Sequence, residues 1–282
     1  MKVFSSIRAL QDKIVSFRHK HIVIVPTMGN LHDGHFSLIK KARSLAGKEG
    51  LVVVSIFVNK IQFGPKEDLK KYPRTIKSDL HQCQQLNVDI VFTPKDQSMY
   101  NITHSTFVTE EMLSNRMEGN SRPSHFCGVT TVVAKLFNII QPNTAVFGAK
   151  DFQQATIITR MVNDLNFPIR IVIAPIIREK DGLAMSSRNR YLNQKERTEA
   201  TILIESIHMA KRIVRDRKTP IPSNSLVKKL KKQITTKHLA ILDYIEFFHP
   251  KTLEPVKQVK RGTHMALAIY LGKTRLIDNG RL

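Results

Sequence analysis

The sequence predicts an α/β protein, a doubly wound parallel sheet followed by a smaller C-terminal α+β unit. Three observations point there. Short apolar runs alternate with helical patterns over the first 175 residues. Polar, Gly-containing motifs fall just after those runs, and the rhythm changes beyond Ile177. Domains are therefore expected at 1–175 and 176–282.

The first strand is expected at 22–25, where His21-Ile22-Val23-Ile24-Val25 reads as a short buried run. Pro26-Thr27-Met28-Gly29-Asn30 is turn chemistry, and a helix follows over 35–47. Further strands fit 51–58, 89–92, 145–148 and 170–174, interleaved with helices at 75–86, 129–140 and 151–165. That is the βαβ rhythm of a parallel sheet covered on both faces. Such sheets bind ligands beyond the carboxyl ends of their strands. Beyond a polar stretch from Arg178 to Asn193 come helices at 194–217 and 223–234, then strands at 241–248 and 264–270.

Composition narrows the class. The 282 residues are 41% hydrophobic, enough for a substantial core. The longest apolar run, Leu51 to Val58, is far too short to cross a bilayer. Met1-Lys2-Val3-Phe4-Ser5 leads into charged sequence unlike a secretory signal, and Cys83 and Cys127 lack metal spacing. A cytoplasmic protein with no membrane partner is expected. The net charge is +22, and residues 211–237 hold ten Lys or Arg against one acid, Asp216. No aromatic residues interleave with that charge, so nucleic acid is expected to bind only nonspecifically if at all. A solvated helix face explains the charge equally simply.

Five motifs carry chemistry. His32-Asp33-Gly34-His35 sits where a strand turns into a helix, so both imidazoles and the helix end can face a phosphate. Helix capping or a metal are the alternatives, although no third ligand is suitably spaced. Asn59 and Gln62 offer amides for a substrate with hydroxyl and carboxylate groups, or simply cap a strand end. In Glu118 to Phe126, Arg122 could hold phosphate or carboxylate, or pair with Glu118. Gly148-Ala149-Lys150-Asp151 again follows a strand, with Gln154 one turn on. There a ligand could approach Gly148 closely and meet the Lys150 charge, or the segment is an ordinary capped helix. Ser186, Ser187 and Arg188 form a polar cluster on the Asp181–Asn189 loop, which could close over a triphosphate or serve as a linker. Gly272-Lys273-Thr274 imitates the end of a P-loop, but Leu267 occupies the first glycine position.

Taken together these motifs resemble the pantothenate synthetase family, the ligases that join pantoate to β-alanine. The resemblance runs through Pro26 to His35, Phe57-Val58-Asn59 with Gln62-Phe63, Tyr72-Pro73-Arg74-Thr75 and Arg122 to Phe126. It continues in Phe147-Gly148, Lys150 to Gln154, Asp181 to Asn189 and Thr274 to Asn279. It implies a Rossmann-like doubly wound domain with a smaller C-terminal α+β lid domain, ATP with Mg²⁺, a pantoyl adenylate, release of pyrophosphate and AMP, and a homodimer. It implies catalytic roles for His35, His32 and Lys150. ATP would be bound by Met28, Gly29, Asn30, Leu31, His32, Asp33, Gly34 and His35, by Gly148, Ala149, Lys150 and Asp151, and by Ile177, Met185, Ser186, Ser187 and Arg188. Gln62, Gln154, Asn59 and Arg122 would hold pantoate or β-alanine. No protein metal ligand is implied, since phosphates and water suffice for Mg²⁺. Two positions depart from the family: Lys60 replaces a usual proline and Ala149 a common glutamate. The rival readings are a tRNA-using adenylate-forming enzyme, a nonenzymatic nucleic-acid binder and an inactive paralogue, the last disfavoured because every assigned polar residue is present.

Overall fold

The computed structural model describes every residue except Lys66. Its chain divides into two units, Met1–Ala149 with Gln153–Pro175, and Lys150–Phe152 with Ile176–Leu282.

In the first unit, β1 (Lys2–Phe4), β2 (Ile22–Thr27), β3 (Leu51–Ile56), β4 (Ile90–Phe92), β5 (Thr144–Gly148) and β6 (Arg170–Ala174) form one sheet. Every pairing is parallel and the order is β1-β4-β3-β2-β5-β6. The helices are α1 (Ile7–Val15), α2 (Asp33–Ala46), α3 (Ile76–Gln85), the short α4 (Asp96–Met99) and α5 (Glu118–Ser121), α6 (His125–Ile140) and α7 (Phe152–Asp164). Strand side chains alternate between the two faces. Ile22, Ile24, Val53, Phe92 and Phe147 meet α1, α6 and α7 residues such as Leu10, Phe137 and Ile158. Val23, Val25, Val52, Val54 and Val91 meet Ile39 and Ala42 of α2 and Cys83 of α3. Burial on both faces explains the unbroken apolar runs.

The sequence does not single out β1 and α1. β1 is a three-residue edge strand paired with β4, too short for a pattern. α1 buries only Leu10 and Ile14, with Ser6 accepting from the Ala9 N–H at its start. α6 begins four residues ahead of the expected 129, at His125. β3 stops at Ile56, because the chain then turns into a 3₁₀ segment, Lys60–Gln62.

The second unit contains α8 (Gln194–Glu199), α9 (Ile202–Arg215), β7 (Ile221–Pro222), α10 (Ser223–Ile234), β8 (Ala240–Phe248), β9 (Gln258–Val259), β10 (His264–Leu271) and β11 (Thr274–Arg281). β10 lies between β11 and β8 in an antiparallel sheet. Ile207 and Val214 of α9 and Leu226 and Leu230 of α10 share a core with Phe247, Leu267 and Leu276. The helix expected over 194–217 is two helices. Thr201 intervenes, donating its hydroxyl to the Thr198 carbonyl at 3.1 Å and to Glu205 at 2.7 Å. β11 escapes sequence reading because buried Asp278 and Asn279 break its apolar alternation. Gly272 and Lys273 are the hairpin turn between β10 and β11, with Gly272 at φ 55°.

Candidate active site

The strand order reverses direction between β2 and β5: β3 and β4 lie to one side of β2, β6 on the far side of β5. β2 and β5 pair only at Val23–Thr144 and Ile24–Ala145, although β2 runs on to Thr27 and β5 to Gly148. The two strands therefore part at their carboxyl ends, which is where a doubly wound sheet accepts a ligand.

The turn after β2 is held from inside. Gly29 and Asn30 both take positive φ, 83° and 53°. Asp79 of α3, 2% exposed, accepts from the Asn30 N–H at 3.0 Å and the Leu31 N–H at 2.9 Å. Thr75 donates its hydroxyl to both Asp79 oxygens at 3.2 Å. Thr27 accepts from the Gly29 N–H at 3.2 Å and donates to the Ser55 carbonyl at 2.7 Å. Three backbone donors of the turn, those of Gly29, Asn30 and Leu31, are thus committed to protein. Asp33 begins α2 just beyond it and is exposed.

His32 is not itself helical: it is the N-cap of α2, at φ −142°. Its Nδ1 accepts from the Gly34 N–H at 3.2 Å, and His35 Nδ1 accepts from the His32 N–H at 3.4 Å. This reciprocal capping box brings the half-buried rings to 4.1 Å between centroids, tilted by 47°. With both Nδ1 atoms accepting, the proton of each neutral ring resides on Nε2. Capping therefore does not preclude anion binding, since it uses only Nδ1 of each ring.

A second network surrounds Gln62, 7% exposed. Asn59 Nδ2 donates to Gln62 Oε1 at 3.1 Å and to the Gly128 carbonyl at 2.9 Å. That spends both Asn59 amide hydrogens, and its buried Oδ1 has no partner among the described residues. Gln62 Nε2 contacts Met28 Sδ at 3.0 Å. The Gln62 main-chain carbonyl accepts from His125 Nδ1 at 2.9 Å. Arg122 forks onto Glu67 at 2.8 and 2.6 Å and donates from Nη1 to His125 Nε2 at 3.2 Å. His125 is therefore the Nδ1–H tautomer. Burial, then the Arg122 charge, lowers its pKa to about 4. For Glu67 burial acts upward, but the Arg122 contacts win and hold the carboxyl below its usual value. Lys60, half-exposed, is ion-paired with Asp96.

Gly128 permits this network. A Cβ there would lie 2.6 Å from the Gln62 N and Cα and 2.7 Å from the Ile61 carbonyl carbon. Gly148 is different: a Cβ would meet only Leu38 methyls, at 3.9 Å. Apart from Leu38, nothing among the described residues comes within 4 Å of that position. On α7, Gln153 is buried and tied to Leu113, Arg116 and Glu118, while the neighbouring Gln154 is only partly buried. Ala149, which ends the first unit, opens a 3₁₀ turn through Asp151.

In the second unit, Lys150 Nζ is 3.5 Å from Asp151 Oδ1. The Lys150 carbonyl accepts from Asn279 Nδ2 at 2.8 Å, and Phe152 stacks on His264 at 4.1 Å. Ile177 accepts from the Met185 N–H at 2.9 Å, closing a loop over 177–185. Arg178 forks onto buried Asp278 at 2.6 and 2.9 Å. Arg197 grips Glu179 and Asp181, and its hydrogen bond lowers the Asp181 pKa. Ser186 caps the following turn by accepting from the Arg188 N–H at 3.3 Å, and Ser187 is buried beside it. Among the described residues no group of three or more His, Cys, Asp or Glu could hold a metal, and no helix is long and apolar enough to cross a membrane.

Sequence reading missed Asp79, Gly128, His125 and Asn279. His125 and Asn279 lie within segments that carry the resemblance; Asp79 and Gly128 carried no signal.

Comparison with known proteins agrees across the chain. The pantoate-beta-alanine ligase family profile matches residues 2–281. The pantothenate synthetase of Sulfurihydrogenibium sp. (strain YO3AOP1) is 45% identical over 99% of both chains. The crystal structure of a Thermus thermophilus pantothenate synthetase superposes with a TM-score of 0.92 at 38% identity, covering 100% of this chain and 99% of its own. A Francisella tularensis pantoate-beta-alanine ligase, complexed with beta-gamma ATP and beta-alanine, superposes at 0.81 with 32% identity, covering 100% and 97%.

Proposed function

The chain belongs to the pantoate–β-alanine ligase family, and from that premise we propose how its residues carry out the ATP-dependent condensation. The pantoate carboxylate attacks the α-phosphorus of ATP. The bond to the β-phosphate oxygen breaks, giving pantoyl adenylate and pyrophosphate. The β-alanine amine then attacks the acyl carbon, forms the amide, loses a proton and expels AMP.

What supports this reading most is the pair of Nε2–H donors at the β2–α2 turn, beside a sheet crevice. His32 and His35 donate to triphosphate oxygens as charge moves onto the leaving pyrophosphate. Fixed donors of this kind need no reorganisation during reaction. The turn residues Met28 to Leu31, with Asp33 and Gly34, shape the ATP site. Gly148 and Ala149 let the nucleotide approach the backbone. Lys150 supplies positive charge to phosphate and Asp151 accepts from ribose. Ile177 contacts the adenine, while Met185, Ser186, Ser187 and Arg188 bind ATP oxygens.

Gln62 Nε2 and Gln154 hold pantoate, Gln62 also lying near β-alanine. Asn59 Oδ1, buried and without a protein partner, suits a pantoate hydroxyl, because a buried acceptor left unpaired is costly. Arg122 serves the substrate through Gln62, since its fork is already engaged by Glu67. Mg²⁺ enters as the ATP complex, held by phosphates and water rather than a protein cage. Two unpaired cysteines suit a reducing, cytoplasmic setting, and we expect a homodimer by resemblance to the family.

The test is exchange of pyrophosphate into ATP with pantoate and Mg²⁺ but no β-alanine. Pantoate-dependent exchange that falls roughly 10²–10³-fold in His35→Ala is expected. Amide formation without any exchange would remove the adenylate step.

A further inference from the structure

Residues 176–282 contain 23 Lys or Arg against 10 Asp or Glu, and of these cations the proposed ligase site draws on Arg188 alone. Part of this charge converges on a cavity of about 1010 Å³ inside the second unit. α9 contributes Lys211, Arg212 and Arg215, the segment after β9 contributes Arg261, and the end of β11 contributes Arg281. None of these is a candidate active-site residue. Glu205 is the single acidic side chain in the wall, and Thr201 donates to it at 2.7 Å.

The simplest explanation, cations favoured by the carboxyl end of a helix, accounts for Arg212 and Arg215. It does not account for Arg261 and Arg281, which the fold brings in from other segments. Arg261 Nη2 donates to the Arg215 carbonyl at 3.1 Å, anchoring its guanidinium at the end of α9. Arg215 contacts Asp216 at 3.0 Å, with both side chains well exposed. Among the described residues no carboxylate is in ion-pair contact with Lys211, Arg212 or Arg281. Like charges gathered in a concavity concentrate positive potential, and guanidinium forks match phosphate oxygens.

We propose that this cavity is a second anion site for a small ligand carrying two or more linked phosphates. Its volume suits a nucleotide-sized ligand. No Phe, Tyr or Trp lines it and His208 is its one ring, which makes a poor platform for successive stacked bases and disfavours single-stranded nucleic acid.

The test is calorimetric titration of the full chain with inorganic tripolyphosphate at low salt. The wild-type protein is expected to bind two equivalents, and His32→Ala/His35→Ala to keep one. Arg212→Glu/Arg281→Glu should weaken the remaining event at least about tenfold, the value of one charge-assisted contact, with pyrophosphate exchange unchanged. Arg212→Gln/Arg281→Gln should show a smaller loss, and it decides the matter if the charge-reversed chain does not fold. One equivalent in wild type, abolished by the histidine changes, overturns the proposal. So does equal affinity in the arginine variants. Single-stranded RNA binding that those variants abolish, with tripolyphosphate binding intact, reassigns the surface to nucleic acid.

Discussion

Replacing Gly128 by alanine tests whether Gln62 is held by close backbone approach. The new Cβ would start 2.6 Å from the Gln62 N and Cα, whereas carbon atoms pack at roughly 3.5–4.0 Å. The 60–62 turn must therefore retreat by about 1 Å. Two opposing energies act on stability. Overpacking costs about 1–3 kcal/mol, and alanine regains about 1 kcal/mol of helix propensity over glycine. The net loss is about 0–2 kcal/mol, or a Tm lower by at most about 8 °C at this chain size. The effect on chemistry is larger, because a displacement near 1 Å can cost about 10²-fold in rate. The assay is pyrophosphate exchange at saturating ATP with varied pantoate, alongside a thermal melt. We expect kcat/KM for pantoate to fall about 10–100-fold, with the KM for ATP nearly unchanged and the melt still cooperative. A pantoate kcat/KM equal to wild type would refute the argument that this approach positions Gln62.

Gly148→Ala should fold with unaltered stability, since Leu38 is 3.9 Å from the added methyl, yet raise the KM for ATP about tenfold or more by filling ligand space; an unchanged KM means no ligand approaches there. Asp79→Asn can accept only one of the two turn N–H groups. It should cost about 1–3 kcal/mol of stability and raise the KM for ATP more than that for pantoate, as parallel denaturation and initial-rate measurements would show. His125 titrates near 6.5 unfolded but near 4 when folded, so the unfolded chain binds the extra proton between those values. Its contribution to stability, of order 3 kcal/mol, is complete above pH 6.5 and lost as pH falls toward 4. Urea midpoints across that window should decline less steeply in His125→Gln; parallel curves would show that another group carries the acid sensitivity.

How much was visible in advance depended on whether a signal was local. β2 to β6 announced themselves as apolar runs, most plainly where burial on both faces leaves Val23–Val25 and Val52–Val54 unbroken, whereas the three-residue edge strand β1 carried no such signal. β11 did not, because its inward positions include Asp278, which only its Arg178 partner makes tolerable. The histidine pair was legible, but its geometry was not: His32 curls back as an N-cap instead of sharing a helix face with His35. Lys60, at the family's usual proline position, has its charge paired with Asp96, a partner that no local pattern reveals.

By itself the sequence determined the alternation of elements, the two units' differing character and the polar motifs that follow the strands, since each rests on residues within a few positions of one another. The tertiary structure alone decided that Asp79 would grip the turn from 49 residues away, that α6 would pass close enough to require Gly128, and that Asn279 would reach the Lys150 carbonyl across 129 residues. Those contacts depend on strand order and helix approach, and no pattern within a single segment encodes which distant backbone comes to lie beside it.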